Sequence, residues 1–292
     1  MSEELLTSRA KKQISKRPHD IGGEVDLFLH QIDGLATALP LSTASLDSSC
    51  QVAQREFHKF TTDECKVVRD GNRLTITIEP GKYMRYRLLK GRVQETSLAQ
   101  ELVPRSLLVA LVSQFDVFLG GLIRQLFEMK PEILNSSESM LTFAQLVEFD
   151  SIDDARESIV EKEIEGILRK SHSEQFDWLE SKFGLPLRKE LKIWPVFIEV
   201  TERRNLFVHT GGVISRQYIE VCRKHGVALE PDACQGKTLN VTPEYFESGL
   251  GCLFEIGVKL AQVLWRKVNP SEIEKADSNL MTCSPKFSPA KT

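Results

Sequence analysis

The six cysteines of this chain, Cys50, Cys65, Cys222, Cys234, Cys252 and Cys283, form no C-x-x-C pair and no cluster with histidine at metal-ligand spacing. Reduced thiols in a cytoplasmic protein, with no cofactor and no metal, are the expected reading. No uninterrupted apolar run reaches the roughly 18 residues of a membrane span. The first twenty residues are basic but lack the apolar stretch of a signal peptide, so no membrane partner is expected. Neither sign of charge is in large excess: 38 Lys and Arg stand against 41 Asp and Glu, a formal net charge of −3. That balance argues against a protein that coats nucleic acid by bulk charge and leaves room for a local basic site. No internal repeat is visible.

The 292 residues are 41% hydrophobic and 27% charged, which suits one large domain or two small ones and argues against wholesale disorder. Residues 1–20 read as a mobile basic arm, either touching a phosphate backbone or simply solvated. A small α+β portion is expected over 21–95. It opens with helical spacing of Val25, Leu27, Phe28, Ile32 and Leu35. Over 65–90 the period falls to two. Leu74, Ile76 and Ile78 alternate with polar residues after the turn signal Asp70-Gly71-Asn72. Met84, Tyr86 and Leu88 alternate again after Glu79-Pro80-Gly81. The pattern predicts a three-stranded antiparallel meander. Arg85, Arg87 and Lys90, with Tyr83 beside them, then form either an RNA-facing surface or the wet, edge-guarding face of a one-sided sheet.

From 96 to 269 the expectation is an antiparallel helical bundle, so the protein is mainly α. A central helix is predicted over 102–130, with Pro104 in its first turn and Asp116 and Gly120-Gly121 marking close packing. A short helix follows over 139–149. Ser151 opens a charged one to about 171, and another starts near Ser173 and stops at Gly184 and Pro186. The next runs from about Leu191 to His209. Thr242-Pro243-Glu244 caps a final amphipathic helix to about Lys267. Residues 270–292 read as a disordered tail.

The helix ending at His209 is the most informative. In Glu199-Val200-Thr201-Glu202-Arg203-Arg204-Asn205-Leu206-Phe207-Val208-His209, polar residues interrupt an otherwise apolar segment. At about 100° per residue, Glu202, Asn205 and His209 share a face and Arg204 lies about 140° round from His209. Two such helices packed about a two-fold axis would bring Arg and His from both into one pocket, so a homodimer is expected if the site is catalytic. Gly211-Gly212 ends the helix and leaves His209 in its last turn, where a dipole favours a cation. Histidine can move a proton, a guanidinium can hold phosphorane oxygens, and asparagine can orient either. Together these suit RNA cleavage by the substrate's own 2′-hydroxyl. Glu202 and Asp116 are candidate supporting carboxylates. Tyr218 is either a base-stacking group or core. The alternative is a structural set, in which Arg, Asn and His satisfy one another within a non-catalytic interaction module.

Arg204, Asn205 and His209, with four residues between Arg and His, resemble the signature of the HEPN superfamily. The surrounding Glu202-Arg203-Arg204-Asn205, Val208-His209-x-Gly-Gly and Tyr218 are similar to a subset of its prokaryotic members, over roughly 97–268. The resemblance implies a HEPN-like helical bundle and a metal-independent endoribonuclease. It also implies a toxin or antiphage-defence role with RNA as substrate, and a cognate antitoxin or defence-system partner as a candidate. Members paired with a nucleotidyltransferase antitoxin usually carry Tyr two residues after the His. Gly211 stands there in this chain, which puts neutralisation through that residue in doubt.

Overall fold

The computed structural model describes residues 20–70, 73–136, 141–189, 191–229 and 233–270. The arm predicted over 1–20 (apart from Asp20) and the tail predicted beyond 270 lie outside them, as do the turn residues Gly71 and Asn72. In chain order the described elements begin with α1 (Ile21–Glu64), β1 (Lys66–Asp70), β2 (Arg73–Thr77), a 3₁₀ turn (Pro80–Lys82) and α2 (Tyr83–Met129). A 3₁₀ segment (Pro131–Ser136) leads to α3 (Phe143–Leu146), α4 (Ile152–Leu168) and α5 (His172–Phe183). The chain continues with α6 (Trp194–Thr210), α7 (Arg216–Lys224) and α8 (Pro243–Val268). Among the described residues the protein is mainly α with one small sheet.

Two compact units share these elements. One holds the described residues of 1–28, 116–191 and 255–292; the other holds 29–115 and 192–254. In the second unit α1 and α2 form an antiparallel hairpin. Its register is written in side-chain pairs: Gln100 Nε2 donates to Asp47 Oδ1 at 2.6 Å, and Arg92 Nη1 to Glu56 Oε2 at 2.7 Å. Farther along, the rings of Phe57 and Tyr86 lie 5.7 Å apart, and Arg85 reaches Glu64 at 2.7 Å. At its end β1 and β2 pair antiparallel, Val67 opposite Ile76 and Asp70 opposite Arg73.

The sheet has two strands, not the predicted three. Residues 83–89 open α2 instead. Pro80 cannot donate to a ladder and sits well at a helix start. The alternation of Met84, Tyr86 and Leu88 also contains a helical period, because Tyr86, Leu89 and Val93 are half-buried while Met84 and Leu88 are 63% and 70% exposed. The central helix accordingly begins near 83 rather than 102. Pro104 lies in its interior, buried, as Pro40 lies inside α1. The short helix predicted over 139–149 is reduced, among the described residues, to Phe143–Leu146, with a Thr142–Gln145 capping box.

The remaining helices follow their punctuation. Ser151 caps α4 with Asp153 and Asp154 in its first turn, and Gly184, in a left-handed conformation, closes α5. In the first unit, Phe28 stacks on Phe118 at 4.6 Å. A Cβ added at Gly120 would sit 3.1 Å from Leu168, and one at Gly257 2.7 Å from Phe28, so both glycines allow close helix approach. Arg124, 9% exposed, is held by Glu157 and Glu161.

One helical stretch, over 80–129, is long and apolar enough to cross a membrane, with mean hydropathy 1.9 in its best window. This corrects the expectation of no such segment, since a windowed mean tolerates the polar residues that break a run. Half of that window is buried within the fold.

Candidate functional site

Helix α6 starts at Trp194 with Pro195 in its first turn. Trp194 and Phe115 both pack on Phe197, with ring centroids at 5.4 and 5.2 Å. Gly211, at φ +63°, ends the helix and donates to the Leu206 carbonyl. Gly212 also donates to the Leu206 carbonyl, at 3.0 Å, and accepts from the Leu239 amide at 2.9 Å. Its φ of +91° and a virtual Cβ 3.0 Å from the Leu239 carbonyl oxygen make it a position that only glycine fits well. The helix end is therefore stitched to the 213–239 segment, where Val213 bridges Thr238.

The buried side of α6 carries a polar network. Glu199, 8% exposed, accepts from the Tyr218 hydroxyl at 2.6 Å and from Arg203 Nε at 2.7 Å on Oε1. Its Oε2 accepts from the Tyr245 hydroxyl at 2.5 Å. The Arg203 guanidinium lies over the Tyr245 ring at 3.8 Å and donates to the Asn240 carbonyl at 3.2 Å. Burial, then the Glu199 charge, holds both tyrosines far above the usual phenol range, and raises the Cys222 thiol to about 12. Arg203 is also raised: burial opposes its charge, and Tyr245, Glu199 and Tyr218 together outweigh that. The network borders a cavity of about 380 Å³ whose other walls are largely apolar, including Pro195, Val227, Leu229 and Leu239.

The motif residues lie elsewhere on the same helix. Arg204 and Asn205 are half-buried, and Arg204 Nη1 donates to Asn205 Oδ1 at 3.1 Å. His209 is exposed in the last turn, between exposed Val208 and Thr210. Glu202 is half-buried. Tyr218 is 2% exposed and bound to Glu199, so it cannot stack on a base in this arrangement. Asp116 falls in the other unit, where Oδ1 lies 2.9 Å from His172 Nε2. Arg85, Arg87 and Lys90 stand on the first turns of α2, not on a strand, so Arg85 and Arg87 point about 200° apart rather than sharing a face. Arg85 is engaged by Glu64 and the Phe60 ring, Lys90 lies 5.8 Å from the Tyr86 ring centre, and Arg87 is exposed.

Sequence reasoning missed Glu199, Arg203 and Tyr245. The Glu199–Arg203 spacing of four was a readable helix pair; nothing local marked Tyr245 as its third member. Arg105 was missed as well. It reaches the Gly211 carbonyl at 3.4 Å, bonds to Asn240 and lies 5.7 Å from the Phe207 ring centre, bracing the end of α6. Among the described residues, no group of three His, Cys, Asp or Glu side chains could hold a metal ion. No family model, no curated protein and no solved structure matches this chain. What the motif does has therefore to be argued from its own chemistry.

Proposed function

We propose that the chain is a metal-independent endoribonuclease whose reactive groups are Arg204, Asn205 and His209, completed by a second copy of the chain. The observation that supports it best is the division of labour on α6. Arg204 is half-buried and oriented by Asn205 at 3.1 Å, while His209 is exposed at a braced helix end. A solvent-reachable imidazole can take the proton of a 2′-hydroxyl or supply one to the 5′-oxygen leaving group. A guanidinium stabilises the charge that builds on the phosphorus oxygens. Because Arg204 and His209 lie about 140° apart round one helix, both reach one phosphate most directly when two helices meet. The similarity to HEPN proteins suggests a toxin or antiphage-defence setting.

The test uses wild type, His209→Ala and Arg204→Ala, incubated with RNA in EDTA. Cleavage leaving 2′,3′-cyclic phosphate ends is expected for wild type, with a loss of about 10²–10⁴ in rate for either variant. Cleavage that needs added metal, or that survives both substitutions, would reject the mechanism.

A second reading has its own support. Val208 and Val213, 53% and 37% exposed, flank the end of α6 as an apolar patch suited to a protein partner. In that case Arg204 and Asn205 serve only the packing of α6, and wild type leaves RNA intact.

A further inference from the structure

Helix α2 carries two stripes in its first half. Tyr86, Leu89, Val93 and Ser97 are half-buried, with Tyr86 and Ser97 meeting α1. The other stripe is Met84, Leu88, Gly91, Glu95, Leu98 and Leu102, at alternating spacings of four and three. That is the 3.5-residue repeat of a coiled-coil seam. Its four large apolar members face solvent: Met84 63%, Leu88 70%, Leu98 53% and Leu102 46% exposed.

We propose that this seam pairs with the same seam of a second copy of the chain, antiparallel, about a two-fold axis passing beside Val93. The spacing admits that occupant, and the residues at the seam and its flanks favour it. Read outward from Val93, the stripe is the same in both directions, so an antiparallel partner registers at every position. Met84 meets the partner's Leu102, Leu88 meets the partner's Leu98, and Glu95 meets the partner's Gly91. Gly91 leaves room for that carboxylate, since a Cβ there would meet only its own Glu95 side chain, at 3.9 Å. A single polar residue inside an apolar seam is a device for fixing register.

Charge supports the same orientation. Arg85, Arg87, Lys90 and Arg92 precede the centre; Glu95 and Glu101 lie beyond it. Antiparallel pairing sets exposed Arg87 beside the partner's Glu101, whose carboxylate is more than half exposed and also meets Arg105 of its own helix at 3.4 Å, whereas parallel pairing would stack the basic halves on each other. Arg92 is already neutralised by Glu56 of α1.

The seam is roughly 27 Å long, and its contact falls at the small end of specific interfaces, below about 1,200 Å² in total. Association on the order of micromolar is therefore expected. The seam ends one turn before Arg105, which holds the Gly211 carbonyl, so the partner's Met84 end would approach the end of α6. The two α6 ends would then stand roughly 36 Å apart along the paired helices. This two-fold is thus separate from one that joins two motif helices, and the proposal stands apart from the RNA reading.

The experiment is disulfide trapping in the full chain. Met84→Cys combined with Leu102→Cys should give a covalent dimer on mild oxidation, well above the wild-type background of native thiols. Met84→Cys alone should not, because the two Met84 positions are about 27 Å apart across an antiparallel seam. The same separation forbids a bond within one chain. Leu88→Glu, at an exposed site, should leave the circular dichroism unchanged and weaken self-association at least tenfold in sedimentation. Trapping through Met84→Cys alone would show a parallel pair and overturn the proposal. A wild type that stays monomeric at high micromolar concentration, its seam covered by the chain's own termini or by another protein, would overturn it as well. RNA cleavage is read separately through His209→Ala, so either idea can fail without the other.

Discussion

On the buried side of α6, Glu199 takes hydrogen bonds from two tyrosines and an arginine. About 140° round the helix from Glu199, Arg204 bonds to its neighbour Asn205; about 80° round the other way, His209 faces water. Arg203 and Arg204 are adjacent in sequence, yet a single residue step of about 100° separates their fates. A buried carboxylate with both oxygens occupied has little left for a substrate; it ties α6 to α7 and α8. An exposed histidine at a braced helix end contributes little to packing and is available for chemistry. Partner saturation, more than residue type, separates the supporting group from the candidate reactive one.

The sharpest way to break this comparison is to exchange the effects. His209→Ala should leave the melting temperature nearly unchanged and cut RNA cleavage by about 10²–10⁴. Glu199→Gln should do the reverse as its primary effect. It strands the Arg203 charge, whose side chain is 14% exposed, and weakens two tyrosine bonds, a loss of about 3 kcal/mol in urea unfolding. Equal destabilisation by both variants would end the distinction.

The helix end sharpens it further. Gly212→Ala meets both a left-handed backbone and the Leu239 carbonyl, 3.0 Å from the new Cβ. It should cost about 2–3 kcal/mol. Gly211→Ala, with φ +63° and open space around it, should cost only about 1 kcal/mol. Thermal melts of the two variants decide the order. A larger loss at Gly211 would mean that the stitch to Leu239 does not hold the His209 end.

Much of α6 could be read in advance because its signals are local. Pro195 at the start, Gly211-Gly212 at the end and the Arg204-to-His209 spacing all lie within about five turns. The same holds for the caps at Ser151 and Gly184. The missing third strand failed for a different reason. Met84, Tyr86 and Leu88 satisfy a period of two, but Tyr86, Leu89 and Val93 satisfy a helical one, and Phe57 on α1 decides between them. That partner is twenty-nine residues away in sequence. The contact of Asp116 with His172 was hidden for the same reason: the two are fifty-six residues apart, and nothing near Asp116 in the chain announces that pairing.

The last and smallest expected effect concerns pH. The buried side should be sensitive to alkali and the exposed side should not. Burial and the Glu199 charge raise Cys222 from an ordinary value of 9.0 to about 12, and lift Tyr218 and Tyr245 above the phenol value of 10.0. In each case the folded state holds its proton more tightly than the unfolded chain does. The resulting stability is intact below about pH 9 and is lost progressively as pH climbs toward 12 and beyond. Melting temperature measured from pH 8 upward should therefore fall earlier than loss of surface charge pairs alone would cause. Tyr245→Phe removes one of the three titrating groups and the hydroxyl bond to Glu199. It should lower stability at neutral pH by about 1–2 kcal/mol and make the alkaline decline shallower. Arg204→Ala, on the other side of the helix, should leave that decline unchanged. An alkaline slope that is the same in wild type and Tyr245→Phe would mean that the tyrosines ionise as readily folded as unfolded, and that the network around Glu199 is open to water.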